Sequence, residues 1–305
     1  MSETCPACAA AASRLWARAA GRRAASNHAF LFWECMSCGS VFLSASTPQP
    51  EDLYREAYFA PRPLSRVLTW IERLASRACF ALRLRAAPPL EAGAKILDLG
   101  CGSGAWLAFL QERGFEVYGL DPSPAAVDAA QKRGLARVTL GFLDEGRLPE
   151  KTFDMITAIH CLEHVEHPRK FLREASRLLK PGGWLGVSIP NVASAEAERA
   201  QAAWYHLDPP YHRVLPTPSA MQTMLRACGL EEIRARCPSY DYPQAVWYAL
   251  WRSPTMPFMS TLLALPFALL VNLMLASRLR AGVIDFWARR PSEPPFKTIP
   301  SRDRS

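Results

Sequence analysis

The feature that most constrains the fold is a strand that leads directly into a glycine-rich turn and then a helix. Lys95-Ile-Leu-Asp-Leu99 is a predicted short buried strand, Gly100-Cys-Gly-Ser-Gly104 forms the turn, and a helical pattern covers 105–113. Such a turn presents bare backbone and a helix start at the carboxyl end of a strand, where doubly wound α/β sheets bind ligands. A second predicted strand ends at Asp121, 21 residues after Gly100, where a carboxylate can accept both hydroxyls of a ribose.

The rest of the chain divides into zones around this unit. The 305 residues, half of them hydrophobic, can fill one full α/β domain with small additions, which excludes a disordered protein. Alternating strands and helices over 94–240 predict a doubly wound sheet, completed by strands at Glu231–Arg236 and Gly282–Ala288. The predicted organisation is a metal-binding ribbon at 1–45, a linker with a basic amphipathic helix at 46–93, an α/β domain at 94–290 with an apolar helical insertion at about 244–280, and a disordered tail at 291–305.

Two cofactors fit the glycine turn. Gly100, Gly102 and Ala105 satisfy the G-x-G-x-x-A spacing of dinucleotide-binding proteins, but this pattern alone is weakly specific. The surrounding segments, over roughly 94–240, resemble class I S-adenosylmethionine-dependent methyltransferases. The resemblance rests on Leu97–Gly104 as the first motif, Asp121 as the second acidic position, Leu143-Asp144 where the family contacts adenine, Phe153–His160 as the fourth strand and Leu178–Asn191 as the fifth.

The resemblance implies a Rossmann-like sheet of seven strands whose last strand is antiparallel. It also implies S-adenosyl-L-methionine (SAM) as cofactor and an enzyme of the general class EC 2.1.1. Asp98 would orient the α-ammonium group of SAM, and Asp121 would bind its ribose. We expect the Gly100–Gly104 turn to line the main pocket beside Asp121. The expected cofactor-binding residues are Asp98, Gly100, Gly102, Gly104, Asp121, Leu143 and Asp144.

A histidine-rich segment follows the predicted fourth strand and supplies the candidate catalytic residues His160, Glu163 and His164. A hydroxyl acceptor benefits from a general base, and histidine is the usual one near neutral pH. A second role is to cap or orient the following helix and the substrate. A third is metal binding, because ubiquinone-biosynthesis O-methyltransferases and small-RNA 3′-end methyltransferases carry E-x-x-E-H here and bind a divalent metal. His160 replaces the first Glu of that pattern, and His206 or His212 is a candidate further ligand.

Two C-x-x-C pairs, Cys5/Cys8 and Cys35/Cys38, are separated by 26 residues near the N-terminus. Four thiolates complete the tetrahedral shell that Zn²⁺ accepts, and the flanking segments 31–33 and 41–43 are predicted strands, so the region resembles a zinc ribbon. A closed four-cysteine site is structural, because it leaves no coordination position for a substrate. The alternative is two unrelated or redox-active pairs. Because the N-terminus shows no secretory signal, we expect reduced cysteines and a cytoplasmic protein.

Two segments predict contact with a membrane surface. Residues 253–277 carry no charge, but Pro257, Pro266 and Asn272 interrupt them, and the flanking strands belong to one sheet, which excludes a single crossing. Residues 64–82 place leucines on one helical face and arginines on the opposite face, a pattern that suits an anionic headgroup layer. We expect peripheral or monotopic association with the inner face of the membrane through 62–85 and 255–276. The alternative is a buried or dimer-forming insertion.

The sequence predicts an enzyme that methylates a saccharide, a lipid-linked glycan or a quinone-like acceptor. A ribbon followed by this core resembles methyltransferases of deoxysugar, polysaccharide and cell-envelope biosynthesis. The alternative is a zinc-ribbon protein that binds nucleic acid, or an RNA methyltransferase. The net charge of +8 fits nucleic acid, but no nucleic-acid-binding motif accompanies it, so we do not expect that partner. The acceptor atom and the oligomeric state do not follow from the sequence.

Overall fold

The computed structural model describes residues 3–21, 29–45, 47, 66–143, 148–252 and 258–292. The predicted tail lies outside the described residues from 293 onward. The strands are β1 Ser13–Ala20, β2 Ala29–Cys35, β3 Val41–Leu43, β4 Lys95–Leu99, β5 Glu116–Asp121, β6 Val138–Leu140, β7 Phe153–Ile159, β8 Leu179–Pro190, β9 Val214–Leu215, β10 Glu231–Arg236 and β11 Val283–Arg289. The helices are α1 Arg66–Ala86, α2 Ala105–Gln111, α3 Pro124–Gln131, α4 Pro168–Leu178, α5 Ala195–Ala200, α6 Pro218–Ala227, α7 Gln244–Leu250 and α8 Phe258–Ala276.

Seven strands form the main sheet in the order β10-β11-β8-β7-β4-β5-β6. The pairs among β4, β5, β6, β7 and β8 are parallel, whereas β11 pairs antiparallel with both β8 and β10. The prediction of a seven-stranded sheet with an antiparallel last strand is confirmed. Because the parallel strands all end at one edge of the sheet, residues just after β4, β5 and β7 meet there.

Helices cover both faces of this sheet, as the near-continuous burial of the central strands requires. Successive residues of β4 face opposite sides: Ile96 packs with Trp106 and Phe109 of α2, and Leu97 belongs to the core that includes Leu172 of α4. The local sequence explains two of the helix starts. Ser123 and Thr217 accept hydrogen bonds from backbone N–H groups of the first turn, and each is followed directly by a proline.

A second sheet has the order β1-β2-β3-β9. The strands predicted around 31–33 and 41–43 are confirmed as parts of β2 and β3, but β1 and β9 were not predicted. β9 comes from the α/β domain, and its Val214 and Leu215 pair with Phe42 and Val41. The N-terminal sheet is therefore joined to the domain by main-chain pairing, with a shared apolar cluster that includes Phe32 and Trp204.

Helix α1 confirms that part of 46–93 is helical, and 62–65 lies outside the described residues. It packs on α2 through Phe80 and Leu84, whereas Leu74 and Leu82 of the predicted apolar face remain 56 % and 45 % exposed. α7 and α8 lie between β10 and β11 and pack on each other. Within the part of the chain that the structure describes, none of the helices combines the length and hydrophobicity that crossing a bilayer requires.

Candidate active site

The glycine turn after β4 presents its backbone at the carboxyl edge of the sheet. Gly100 and Gly102 have φ of 70° and 52°, in the left-handed region that favours glycine. A Cβ at Gly100 would lie 2.8 Å from the Sγ of Cys161, whereas one at Gly102 would meet no atom within 4 Å. Gly100 therefore allows close packing against the segment after β7, and Gly102 leaves open backbone for a ligand.

Asp121 ends β5 beside this turn, as the sequence predicts. Its Oδ2 accepts the Gly102 N–H at 2.8 Å, and its Oδ1 accepts the Ser123 N–H at 2.9 Å. Burial raises the pKa of Asp121, and these two hydrogen bonds oppose the shift. Since a carboxylate oxygen can accept more than one hydrogen bond, both oxygens keep acceptor capacity for a hydroxyl.

Asp98 lies in β4 just before the turn and is buried. Thr157, its neighbour in β7, donates its hydroxyl to Oδ1 at 2.6 Å. Burial raises the pKa of Asp98 to about 7, although the hydrogen bond from Thr157 acts in the opposite direction. A bound cation would stabilise the ionised carboxylate, which suits a site for an ammonium group.

The remaining cofactor predictions have different outcomes. Leu143 follows β6 and packs partly against the main core, whereas Asp144 lies outside the described residues. The expectation that the Gly100–Gly104 turn lines the main pocket differs from the structure. The turn lines neither the cavity of about 10 Å³ beside Arg83, Thr157 and Asp285 nor the groove of about 400 Å³ on α7 and α8.

The catalytic candidates occupy the segment directly after β7, where Leu162–His164 form a 3₁₀ turn. Glu163 is buried, and its Oε1 lies 3.3 Å from Nδ1 of His160. Burial alone would raise the pKa of Glu163, but the hydrogen bond with His160 and the nearby histidines lower it to about 2. Glu163 is therefore an ionised carboxylate held inside the protein.

Two histidines lie beside Glu163: His164 follows it in the same 3₁₀ turn, and His212 comes from the loop before β9. One ligand atom of each of the three residues lies within 4.8 Å of the other two. The Nδ1 atoms of His164 and His212 lie 3.0 Å and 2.6 Å from the carbonyl oxygens of Tyr211 and His206. A carbonyl can only accept, so Nδ1 carries a hydrogen in each ring, and Nε2 is the nitrogen that holds the lone pair of the neutral form. Burial and the nearby His164 lower the pKa of His212 to about 4, which keeps this ring neutral at pH 7.

A buried chain of charges extends from His160 away from this cluster. Nε2 of His160 lies 3.9 Å from Oδ2 of Asp241, which pairs with Arg83 of α1, and Arg83 also lies 3.5 Å from Asp285 of β11. Burial alone would lower the pKa of His160, but Asp241 and Glu163 outweigh it and raise this pKa to about 9. His160 is therefore an imidazolium between two carboxylates. Asp241 and Arg83 were not predicted as site residues. Asp241 follows the carboxyl end of β10, and Asp121 is the last residue of β5, so both lie at the carboxyl end of a strand.

Aromatic side chains form a wall next to these histidines. The ring of Tyr242 lies 5.3 Å from that of His160 and 5.1 Å from that of His206. The ring of Tyr205 lies 5.8 Å from Tyr242 and 5.4 Å from Tyr248 of α7. The aromatic segment from Trp204 onward, together with Tyr242 before α7 and Tyr248 within it, therefore borders the candidate catalytic residues.

The four predicted metal-binding cysteines converge in the N-terminal sheet. The Sγ atoms of Cys5 and Cys38 are 3.7 Å apart, those of Cys8 and Cys35 are 3.5 Å apart, and all four lie within 4.8 Å of one another. A tetrahedral zinc site with bonds of about 2.3 Å needs sulfur separations of about 3.8 Å, so this cluster fits the ion. Backbone turns close both pairs, through Ala9 N–H on the Cys5 carbonyl and Gly39 N–H on the Cys35 carbonyl.

The cysteine cluster connects to the catalytic segment through β9. Thr217 donates its hydroxyl to the carbonyl of Cys38 at 2.8 Å, and Leu43 N–H donates to the carbonyl of Arg213 at 2.9 Å. Arg213 N–H in turn donates to the carbonyl of Glu163 at 2.6 Å. The N-terminal sheet therefore supports the loop that carries His212.

Comparisons with known proteins agree with this geometry. Residues 71–235 match the family model described as a methyltransferase domain. Ubiquinone biosynthesis O-methyltransferases of Schizosaccharomyces pombe and Pseudomonas fluorescens are 38 % and 36 % identical over 104 and 108 residues, which cover 32 % and 33 % of this chain. These stretches span only 38 % and 46 % of the two relatives, less than half of their length.

Solved structures show the same fold. Phosphoethanolamine N-methyltransferase 2 of Haemonchus contortus, bound to SAM, superposes with a TM-score of 0.51 at 18 % identity, over 70 % of this chain and 52 % of that one. A SAM-dependent methyltransferase of Thermotoga maritima gives 0.51 at 16 % identity, over 72 % and 92 %. Since the family model covers more than half of the 305 residues and the sheet has the matching fold, the chain belongs to the methyltransferase-domain family.

Proposed function

We propose that the protein transfers the methyl group of SAM to a hydroxyl oxygen of a small acceptor. A quinone-like phenol is the first candidate, because the ubiquinone biosynthesis O-methyltransferases are among its relatives. Saccharides and lipid-linked glycans are the other candidates. The observation that carries the proposal is the cluster of Glu163, His164 and His212 at the carboxyl end of β7. Glu163 lies two residues after the Cys161 that packs on the glycine turn.

On the donor side, the positions of Asp98, Gly102 and Asp121 support their proposed roles. SAM supplies an electrophilic methyl group on a sulfonium sulfur. Asp121 accepts the ribose hydroxyls, and Asp98 orients the cationic amino-acid end from beneath the turn. Gly102 leaves open space beside the backbone, so the cofactor can approach it closely. Leu143 and Asp144 are proposed to contact the adenine.

On the acceptor side, His164 is proposed as the general base. Its Nδ1–H donates to the Tyr211 carbonyl, which fixes the ring so that Nε2 accepts the proton of the acceptor hydroxyl. The buried carboxylate of Glu163 stabilises the imidazolium that forms. His160 does not take this proton, because it is already protonated; it positions Glu163 by donating to Oε1.

The same cluster also fits a divalent cation. Among the described residues, the buried Oε2 of Glu163 has no hydrogen-bond partner, and both histidines offer Nε2 with Nδ1–H bound to a carbonyl. This is the usual environment of histidine metal ligands. Glu163, His164 and His212 would hold the ion, which would supply a lower pKa for a bound hydroxyl. Metal analysis of the purified protein, and activity before and after chelation, separate this arrangement from base catalysis alone.

At the N-terminus we propose structural Zn²⁺ held by Cys5, Cys8, Cys35 and Cys38. The support is the sulfur geometry described above and the donor set of four thiolates. The hydrogen bonds through Thr217 and Arg213 make this site a support for the acceptor loop. Because four thiolates fill the coordination shell, the site takes no part in the chemistry.

The test is methyl transfer by a His164→Ala variant to a catechol with a short isoprenoid chain, with saccharides and a glycolipid extract as parallel acceptors. We expect kcat to fall by about 10²–10⁴-fold while SAM affinity stays within about twofold, since a general base contributes that much to the rate. The matched control is His167→Ala, which changes an exposed histidine three residues later. Collapse of SAM binding, or an unchanged rate, would contradict the base assignment.

A further inference from the structure

Helix α8 buries small or polar side chains and exposes large apolar ones, the reverse of an ordinary surface helix. Small or polar side chains at four-residue spacing face the protein: Ala264, Ala268 and Asn272 are 8 %, 1 % and 1 % exposed. The large apolar side chains face outward, with exposed fractions of 77 % for Leu263, 52 % for Phe267, 58 % for Leu270, 58 % for Leu273 and 57 % for Met274. Since a soluble protein rarely leaves such a set exposed together, this face marks an interaction surface.

The end of α7 extends this apolar face. Leu250 and Trp251 are 43 % and 62 % exposed, and Trp247 forms a groove of about 400 Å³ with Leu263, Ala264 and Phe267. The pair of helices is held to the domain at both ends. Asn272 donates to the carbonyl of Ser239 at 2.8 Å, and Arg199 donates to the carbonyl of Leu250 at 3.4 Å. The apolar face is therefore a fixed part of the surface.

Charge indicates what covers this face. Residues 242–280 contain no Asp or Glu, and their charged residues are Arg252, Arg278 and Arg280, all exposed. Arg280 pairs with Glu198, but the segment itself has no carboxylate to offer a partner. A second copy of the same face would bring Arg252 and Arg278 again, with no carboxylate of the segment to neutralise them. An anionic lipid surface supplies both an apolar layer for the leucines and phosphates for the arginines.

We propose that the face formed by α7 and α8 docks on the surface of an anionic lipid bilayer. Leu263, Phe267, Leu270 and Trp251 enter the boundary between headgroups and acyl chains, and Arg252 and Arg278 bind lipid phosphates. Helix α1 offers a second exposed apolar stripe in Leu74 and Leu82, with exposed Arg73 and Arg85 beside it. This second stripe adds to the binding but does not define it.

The docking face adjoins the candidate acceptor site, and this step rests on the proposed function. α7 begins two residues after Tyr242, whose ring contacts His160, and Tyr248 of α7 contacts Tyr205. An acceptor anchored in the bilayer by an isoprenoid or acyl chain would thus reach the aromatic wall from the membrane side. This favours lipid-anchored acceptors over free saccharides.

The experiment is flotation of the full chain with vesicles of phosphatidylcholine, with and without phosphatidylglycerol, in the absence of SAM and acceptor. We expect binding to the anionic vesicles only. A Leu263→Ser/Phe267→Ser variant should lower the partition coefficient by about tenfold or more, since it removes two large apolar side chains whose transfer from water into the bilayer favours binding. An Arg252→Gln/Arg278→Gln variant should lose about fivefold for each arginine. A Leu15→Ser/Leu140→Ser variant, which removes exposed leucines elsewhere, is the matched control and should bind like the wild type.

Three outcomes would overturn the proposal. The first is that the chain stays in the soluble fraction with both kinds of vesicle, and the second is that it binds both equally. The third is a dimer in sedimentation velocity that the Leu263→Ser/Phe267→Ser variant dissociates, because this would assign the face to a second copy. If that variant does not fold, quenching by brominated lipids answers the same question: the wild type must lose more tryptophan fluorescence than a Trp251→Phe variant. Because no methyl transfer is measured, failure here is independent of failure of the proposed activity.

Discussion

Replacement of His160 by Gln tests the buried charges of the active site most directly. The side chain of His160 is 23 % exposed and lies between the carboxylates of Glu163 and Asp241, which raise its pKa from 6.5 to about 9. Each pKa unit corresponds to about 1.4 kcal/mol, so the protonated ring stabilises the fold by about 3 kcal/mol. Because the folded pKa lies above the unfolded one, this stabilisation is complete below pH 6.5 and is lost as the pH rises through about 9.

The assay is urea unfolding of the wild type and the His160→Gln variant at pH values from 6 to 9.5. The free energy of unfolding should differ by about 3 kcal/mol at pH 6, and the difference should shrink toward zero near pH 9.5. Asp98 and Glu196, whose pKa values are raised to about 7 and about 8 by burial, titrate in both proteins and cancel in the difference. His167→Gln, at an exposed position, should track the wild type. A difference that stays constant over this range would refute the assignment of a charged His160.

Two further predictions concern the cofactor and the cysteines. SAM at about 100 times its Kd should stabilise the wild type by about 2.7 kcal/mol. Asp121→Ala should reduce the accompanying thermal shift, whereas Asp128→Ala, on the exposed side of α3, should not. An unchanged thermal shift in Asp121→Ala would exclude the ribose role. Metal analysis should find about one Zn²⁺ per chain, falling below half an equivalent in Cys35→Ser, and a wild type with less than half an equivalent would rule out the zinc site.

The central strands of the main sheet were predictable because each contains a short apolar run, whereas β6, Val138–Leu140, was not predicted. β4, β5 and β7 lie where the sequence places them, and the predicted sixth and seventh strands appear as β10 and β11 within one residue. Local patterning is sufficient for β4 and β7, since burial on both faces leaves little ambiguity about their type. The strand order came from the family resemblance, which no local pattern contains.

The parts that were missed depend on partners distant in sequence. β1, Ser13–Ala20, is rich in Ala and Arg, which favour helices, and becomes a strand by pairing with β2. β9 has two residues, too few for any periodic signal. Arg83 belongs to a helix with many arginines, and nothing near it distinguishes the one that is buried between Asp241 and Asp285. His212 was found only as one of two alternative ligands, because its approach to Glu163 depends on the fold of the loop.

The pairing of β3 with β9 has a consequence for how the chain is made. Leu43 and Val214 are separated by about 170 residues, and a ribosome adds about 5–20 residues each second, so β9 emerges about 10–35 s after β3. During that interval the nascent N-terminal segment already contains all four cysteines and three strands, and the edge of β3 that β9 later covers is open. Such an edge is a template for pairing with other chains. The short strand that later supports the catalytic loop is therefore also the one that covers the edge of β3 in the newborn protein.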